Sequence, residues 1–222
     1  MAGKRVEIIN GDCMEELRGL DDGCAKLILT DPPYGIGYRD QAGRTVANDE
    51  RPYICWLNEA YRVTQDKGGM LCWCRWDVQE AFRVAIELAG FSVRSQIIWA
   101  KRAGGKGDLR SQASPAHEVA WWCIKGRFKW AGKRLESVID ARPPLDKFRT
   151  HPAEKPVRML REIIYSATHA GELVVDPFMG TGSTGVAARQ AGRRFWGCEL
   201  DASYVETARM RMQATTPARG TP

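Results

Sequence analysis

The chain reads as an α/β protein with a doubly wound, mostly parallel sheet of seven strands and helices on both faces. Three observations lead there. Short β-branched apolar runs alternate with segments of helical spacing, the pattern of parallel strands joined by crossover helices. Two of the apolar runs end in an aspartate followed by proline, Asp31-Pro32 and Asp176-Pro177. The second then leads through Gly180, Gly182 and Gly185, spaced G-x-G-x-x-G, into a helix.

The elements follow in order. Residues 6–9 are β-branched and read as a strand, and Asp12 opens a short helix that reaches Leu20. Residues 26–30 form the next strand. Ile54, Leu57, Ala60 and Tyr61 give residues 53–64 a helical period. A strand at 70–74 precedes a helix at 78–88, which Gly90 ends. Residues 95–99 and 118–124 read as a late strand pair, and 156–168 as a helix. A strand at 172–175, a helix at 183–191 ended by Gly192, a strand at 195–198 and a helix at 202–212, capped by Asp201, complete the pattern. Residues 35–48 and 102–116 show no periodicity and read as mobile loops beside a site. The segment TTPARGTP, with 215–222 as its bounds, reads as a disordered tail.

With 222 residues, 44% apolar and 27% charged, the composition is that of a soluble globular protein. No run approaches the ~18 apolar residues of a membrane span. The N-terminus lacks the apolar core of a signal peptide, so a cytoplasmic protein is expected. The seven cysteines are scattered in apolar runs and read as reduced, buried thiols. Cys72 and Cys74 are explained by strand alternation, and with three histidines and no second cysteine pair at ligand spacing no metal site is expected.

The formal net charge of +6 is concentrated in one block. Lys101, Arg102, Lys106, Arg110, Lys125, Arg127, Lys129, Lys133 and Arg134 face only Asp108 and Glu118 within residues 101–134. Phe128 and Trp130 lie among these charges, so the block reads as a nucleic-acid surface or as a solvated basic loop. Trp121 and Trp122 lie within a strand and read as core.

The glycine motif offers a tight turn and free N–H groups at a helix start. Glu199, at the end of the following strand, is placed to grip ribose hydroxyls, as in dinucleotide-binding proteins. Asp176-Pro177-Phe178-Met179 intervenes between the strand and the first glycine, however. A carboxylate there repels a pyrophosphate and attracts a cationic ligand. S-adenosylmethionine, an adenosine bearing a sulfonium and an ammonium, fits that description. A nicotinamide cofactor remains the alternative.

Taken together, Asp31-Pro32-Pro33-Tyr34 and Asp176-Pro177-Phe178-Met179-Gly180-Thr181-Gly182-Ser183-Thr184 resemble the motifs of the amino-methylating DNA methyltransferases. The order, catalytic motif first and cofactor motif last, is similar to that of the permuted β group. The resemblance covers roughly residues 4–212. It implies that Asp31, Pro32, Pro33 and Tyr34 hold the target base. It assigns Asp176, Pro177, Phe178, Gly180, Thr181, Gly182, Ser183, Thr184 and Glu199 to S-adenosylmethionine, with Asp31 beside it. Asn10-Gly11-Asp12-Cys13 resembles the segment that touches the cofactor adenine, so Asp12 and Cys13 join the cofactor set. Asp12 also reads as a plain helix cap. His151-Pro152-Ala153-Glu154-Lys155-Pro156 resembles the segment that meets the methionine end. Lys155 is a cation at a helix start, which is locally unfavourable and favours an anionic partner such as the methionine carboxylate.

The expected organisation is one methyltransferase domain over 1–214. Its catalytic half spans about 4–126, a short target-recognition segment about 127–150, and a cofactor half about 151–213. A recognition segment this small implies a short or degenerate target in double-stranded DNA, or a homodimer that adds contacts.

The chemistry explains the first motif. The exocyclic amine of a base is a poor nucleophile because its lone pair is delocalised into the ring. A carboxylate and a carbonyl, from Asp31 and Pro32, can accept its two N–H bonds and stabilise the charge that develops on nitrogen. The prolines stiffen the turn and carry no competing N–H. Tyr34 offers a face for a flipped base. An aspartate at the head of the motif is tied by the resemblance to adenine N6, and serine to cytosine N4. RNA or protein methylation, and a non-catalytic nucleic-acid binder, are the remaining readings.

Overall fold

The computed structural model describes residues 6–35, 37, 49–102, 110–111, 113–143 and 154–216. The strands are β1 (Val6–Asn10), β2 (Ala25–Thr30), β3 (Thr64–Cys74), β4 (Ser92–Ala100), β5 (His117–Ile124), β6 (Val138–Asp140), β7 (Leu173–Asp176) and β8 (Arg194–Glu199). The helices are α1 (Cys13–Arg18), α2 (Leu57–Val63), α3 (Gln79–Leu88), α4 (Val157–Ala167), α5 (Ser183–Gln190) and α6 (Ala202–Ala214).

All eight strands join in one sheet of order β1-β8-β7-β2-β3-β5-β4-β6. Among the described residues only β5 runs against its neighbours, pairing antiparallel with β3 and β4. The sheet has eight strands where seven were expected. The addition is β6, whose three residues pair in parallel with Ile98–Ala100 and are too few to show a period. The central strands β2 and β7 are buried throughout, which is why their sequences are continuously apolar and not alternating.

Alternation along the strands divides the core in two. Leu27, Leu29, Leu71 and Trp73 face α4, α5 and α6, whose Leu160, Ile163, Ala187, Val205 and Ala208 complete one cluster. Ile28, Met70 and Cys72 face α1, α2 and α3, meeting Leu17, Ala60, Val63, Phe82 and Ile86. Each fully buried Leu or Ile contributes roughly 1.5–3 kcal/mol.

Several expectations change in detail. The helix expected over 53–64 begins at Leu57, because residues 53–56 turn toward the first motif. Cys13, Cys72, Cys74, Cys123 and Cys198 are buried thiols as read, but Cys55 is exposed and Cys24 only half-buried. Most of the two expected loops, and residues 217–222 of the expected tail, lie outside the described residues. No helix of the described residues is long and apolar enough to cross a membrane.

Candidate active site

Parallel strands end on one side of the sheet, and a ligand site is expected in the crevice there. Thr30, Cys74, Asp176 and Glu199 are the last residues of β2, β3, β7 and β8. The two motifs meet at this edge. Thr30 Oγ1 donates to Asp176 Oδ1 at 2.7 Å, and the Phe178 N–H donates to the same oxygen at 3.2 Å. Asp176 is buried, which pushes its carboxyl up to about 7, against the opposing hydrogen bonds from Thr184, Thr30 and Phe178.

Past β2 the chain is held by backbone contacts. The Tyr53 N–H donates to the Pro33 carbonyl at 3.2 Å, and the Gly35 N–H to the buried Asp49 carboxylate at 2.6 Å. Asp49 thus anchors the turn after Tyr34. It directly follows a stretch without periodicity, and its own sequence surroundings give no sign of this role.

Both oxygens of Asp31 are engaged. Oδ1 accepts from the Tyr34 hydroxyl and Oδ2 from the Lys155 ammonium. Lys155 is buried and lies 3.0 Å from Glu118 Oε2, with Nζ 5.3 Å from the centroid of the Trp73 ring. The second Glu118 oxygen is 2.5 Å from Lys101 Nζ. Burial opposes the charge on Lys155, but Asp31 and Glu118 outweigh it and hold its pKa above the ordinary lysine value. Burial likewise works against an ionised Glu118, and Lys155 with Lys101 outweighs it, so that carboxyl sits below its ordinary value. The anions expected near Lys155 are therefore, in the protein itself, Asp31 and Glu118. Tyr34 makes an edge contact with Phe82 at 6.5 Å, and burial, then Asp31, raises its phenol pKa.

The glycine turn is shaped to receive a ligand. Gly180 and Gly182 have φ of +50° and +82°, where a side chain is strained. A Cβ built on Gly180 meets nothing within 4 Å, so its surface is open. The Gly180 N–H donates to Glu199 Oε2 at 3.0 Å, and the Asp201 N–H to Oε1 at 2.9 Å. Burial raises the pKa of Glu199, offset in part by these donors. Arg211 braces the turn, donating to the Thr181 carbonyl at 2.8 Å and to the Glu154 carboxylate at 2.5 Å. Ser183 Oγ approaches Glu154 at 3.4 Å. Glu154 and Arg211 stand 57 positions apart, so no local motif connects them.

Asp12 caps α1, accepting from the Met14 N–H at 2.8 Å, and Asp201 caps α6 in the same way. Cys13 is buried next to Asp12, and burial pushes its thiol up to about 12. Phe178 stands edge-on to Tyr53 and Trp56, at 5.9 and 5.3 Å. A buried carboxylate, an open glycine turn and a second carboxylate at the next strand end suit an adenosine with a cationic tail. Among the described residues no group of three or more His, Cys, Asp or Glu could hold a metal ion.

The basic residues do not form one face. Lys101 pairs with Glu118 at the site, and Arg102 with Asp140 nearby. Ile124 pairs with Gly69 and Ser92, so β5 leaves the sheet at the opposite end. Lys125 is held there, donating to the carbonyls of Tyr61 and Thr64 at 2.7 and 2.8 Å. Arg127 and Lys129 follow it, exposed, at that far end. Phe128 and Trp130 are not interleaved for bases. Trp130 stacks on the buried Trp122 at 4.8 Å, and Phe128 meets it edge-on at 4.9 Å. Lys133 pairs with Glu136, and Arg134 lies beside it along a cavity of about 940 Å³ lined by Arg94 and Trp130. Arg110 is exposed, while Lys106 and His151 lie outside the described residues.

Comparison with known proteins gives the family. The chain is 37% identical over 214 residues to a protein of Escherichia coli strain K12 named as the methylase YubD, covering 95% of this chain and 91% of that one. The crystal structure of M1.HpyAVI with SAM superposes with a TM-score of 0.72 at 25% identity, covering 93% and 99% of the two chains. The PvuII DNA methyltransferase, described as cytosine-N4-specific, shares the fold, with a TM-score of 0.77 at 17% identity over 94% and 86%. The family model described as DNA methylase, for the N6 and N4 enzymes, matches residues 25–210, and the chain belongs to that family of S-adenosylmethionine-dependent DNA methyltransferases.

Proposed function

We propose that this DNA methyltransferase acts on the exocyclic N6 amine of an adenine turned out of double-stranded DNA. The observation that carries the reading is Asp31, an aspartate at the head of the first motif, at the strand end beside the glycine turn. S-adenosylmethionine supplies a methyl group on a sulfonium, which leaves as a neutral thioether.

The chain's own task is to make the amine nucleophilic and to hold it. Asp31 accepts one N–H and the Pro32 carbonyl the other, which localises the nitrogen lone pair and stabilises the positive charge that forms, and the acidic product ammonium then gives up a proton to Asp31 or to water. Pro33 keeps the turn rigid. Tyr34 leaves Asp31 to stack on the base, a contact worth roughly 1–3 kcal/mol. Asp176, Pro177, Phe178, Gly180, Thr181, Gly182, Ser183 and Thr184 line the cofactor cradle. Glu199 takes ribose hydroxyls, and Asp12 and Cys13 flank the adenine. Lys101, Arg102 and Arg110 contact phosphates. The expected recognition segment over 127–150 is short and opens with Arg127 and Lys129 at the far end of the sheet, which leaves little of it to read bases, so the target is short or degenerate, or a second copy of the chain completes the reading.

The test is methyl transfer from isotopically labelled S-adenosylmethionine to unmethylated genomic DNA, with the digested nucleosides identified by mass spectrometry. Label in N6-methyladenine is expected. Label in N4-methylcytosine overturns the choice of base and keeps the acceptor role of Asp31.

A further inference from the structure

Both oxygens of Asp31 are engaged, and one of the two partners is a cation. Tyr34 occupies Oδ1 and Lys155 occupies Oδ2. Tyr34 gives up Oδ1 to the substrate amine, which becomes positive as the carbon–nitrogen bond forms. An ammonium held against the same carboxylate opposes that charge. Lys155 cannot retreat to water, because it is buried over the face of Trp73.

Glu118 stands on the other side of that ammonium. Its Oε2 is 3.0 Å from Lys155 Nζ but, among the described residues, accepts no well-aligned hydrogen bond. It is a buried acceptor with unused capacity, next to the cation that must move. Lys101 neutralises its other oxygen, at 2.5 Å. The two lysines and two carboxylates balance in charge, so shifting the ammonium from one carboxylate to the other leaves no net charge stranded.

We propose that Glu118 is a positioning residue, which takes up the Lys155 ammonium when Asp31 turns to the substrate amine. The inference rests on the reading of Asp31 as the acceptor for that amine. No bond is made or broken in the shift. Lys155 moves from a bond shared with Asp31 to a full bond with Glu118, and returns when the product leaves.

Glu118→Gln keeps the shape and removes the charge. Single-turnover transfer to unmethylated genomic DNA should fall roughly 10- to 100-fold, the range a misplaced acceptor costs. Affinity for S-adenosylmethionine by calorimetry should stay close to wild type, and Glu118→Asp should recover part of the rate. The double variant Glu118→Gln, Lys155→Met removes one charge of each sign and leaves Lys101, whose side chain is 24% exposed, with access to water, and so keeps the fold testable. It should be no slower than Lys155→Met alone, since two residues acting as one unit do not add. A Glu118→Gln rate within about twofold of wild type overturns the inference, as does a loss that adds in full to that of Lys155→Met. Asp31→Asn, measured alongside, separates the two levels. If it is inactive while Glu118→Gln is unaffected, only the role of Glu118 falls. If it retains the wild-type rate, the acceptor role of Asp31 falls and the role of Glu118 with it.

Discussion

Thr30 donates its hydroxyl to the carboxylate of Asp176 over 2.7 Å, although 146 positions separate them in the chain. The bond ties the last residue of β2 to the last residue of β7 and so joins the two motifs below the site. Thr30→Val removes the donor and leaves a buried carboxylate short of a partner. A loss of about 1–3 kcal/mol in chemical denaturation is expected.

Asp176 also sets a pH dependence. Its folded pKa of about 7 lies above the ordinary aspartate value of 3.8. Between these values the folded state holds a proton that the unfolded chain releases. The stability this provides is full below pH ~4 and is lost as pH rises through ~7. Without cofactor, the wild-type melting temperature should decline between pH 4 and 8 more than that of Asp176→Asn. Parallel curves for the two proteins would refute it.

Asp31→Ala should lower transfer by at least about 100-fold, the scale for removing one group that stabilises a developing charge. Cofactor binding by calorimetry should largely survive. The variant leaves Lys155 with Glu118 as its remaining carboxylate neighbour, so its fold is retained.

Glu199→Ala removes the acceptor for the Gly180 and Asp201 N–H groups as well as the proposed ribose contact. Hydrogen bonds to a charged group contribute about 1.5–3 kcal/mol. Cofactor affinity should therefore weaken roughly 10- to 100-fold, and unchanged affinity would count against the assignment.

Gly185 is a packing glycine. A Cβ there would come 2.1 Å from the Met212 methyl and 2.7 Å from the Phe195 ring. Gly185→Ala gains helix propensity of about 1 kcal/mol but forces α5 away from α6 and β8. Net destabilisation of about 1–3 kcal/mol is expected from denaturant titration.

Arg102 and Lys129 separate the two ends of the basic block. Arg102→Ala should weaken DNA binding and reduce its salt slope by about one. Lys129→Ala, at the far end of the sheet, should leave both unchanged in filter-binding or anisotropy titrations.

Much of this was legible in the chain. Apolar runs ending in Asp31 and Asp176 announced buried parallel strands, because a strand covered on both faces must be apolar throughout. The glycine spacing announced a tight turn with positive φ at Gly180 and Gly182, since it depends on residues close in sequence. The caps Asp12 and Asp201 were visible for the same reason. Tertiary structure decided the rest. The antiparallel course of β5 carried Lys125, Arg127 and Lys129 away from the site and folded Trp130 onto Trp122. The link between Lys155, Asp31 and Glu118 spans three separate segments, as does that between Arg211, Glu154 and Thr181. Local patterns report the backbone and the buried face of each element. Which charges become partners depends on how strands order themselves in the sheet, and that order is settled by packing across the whole domain.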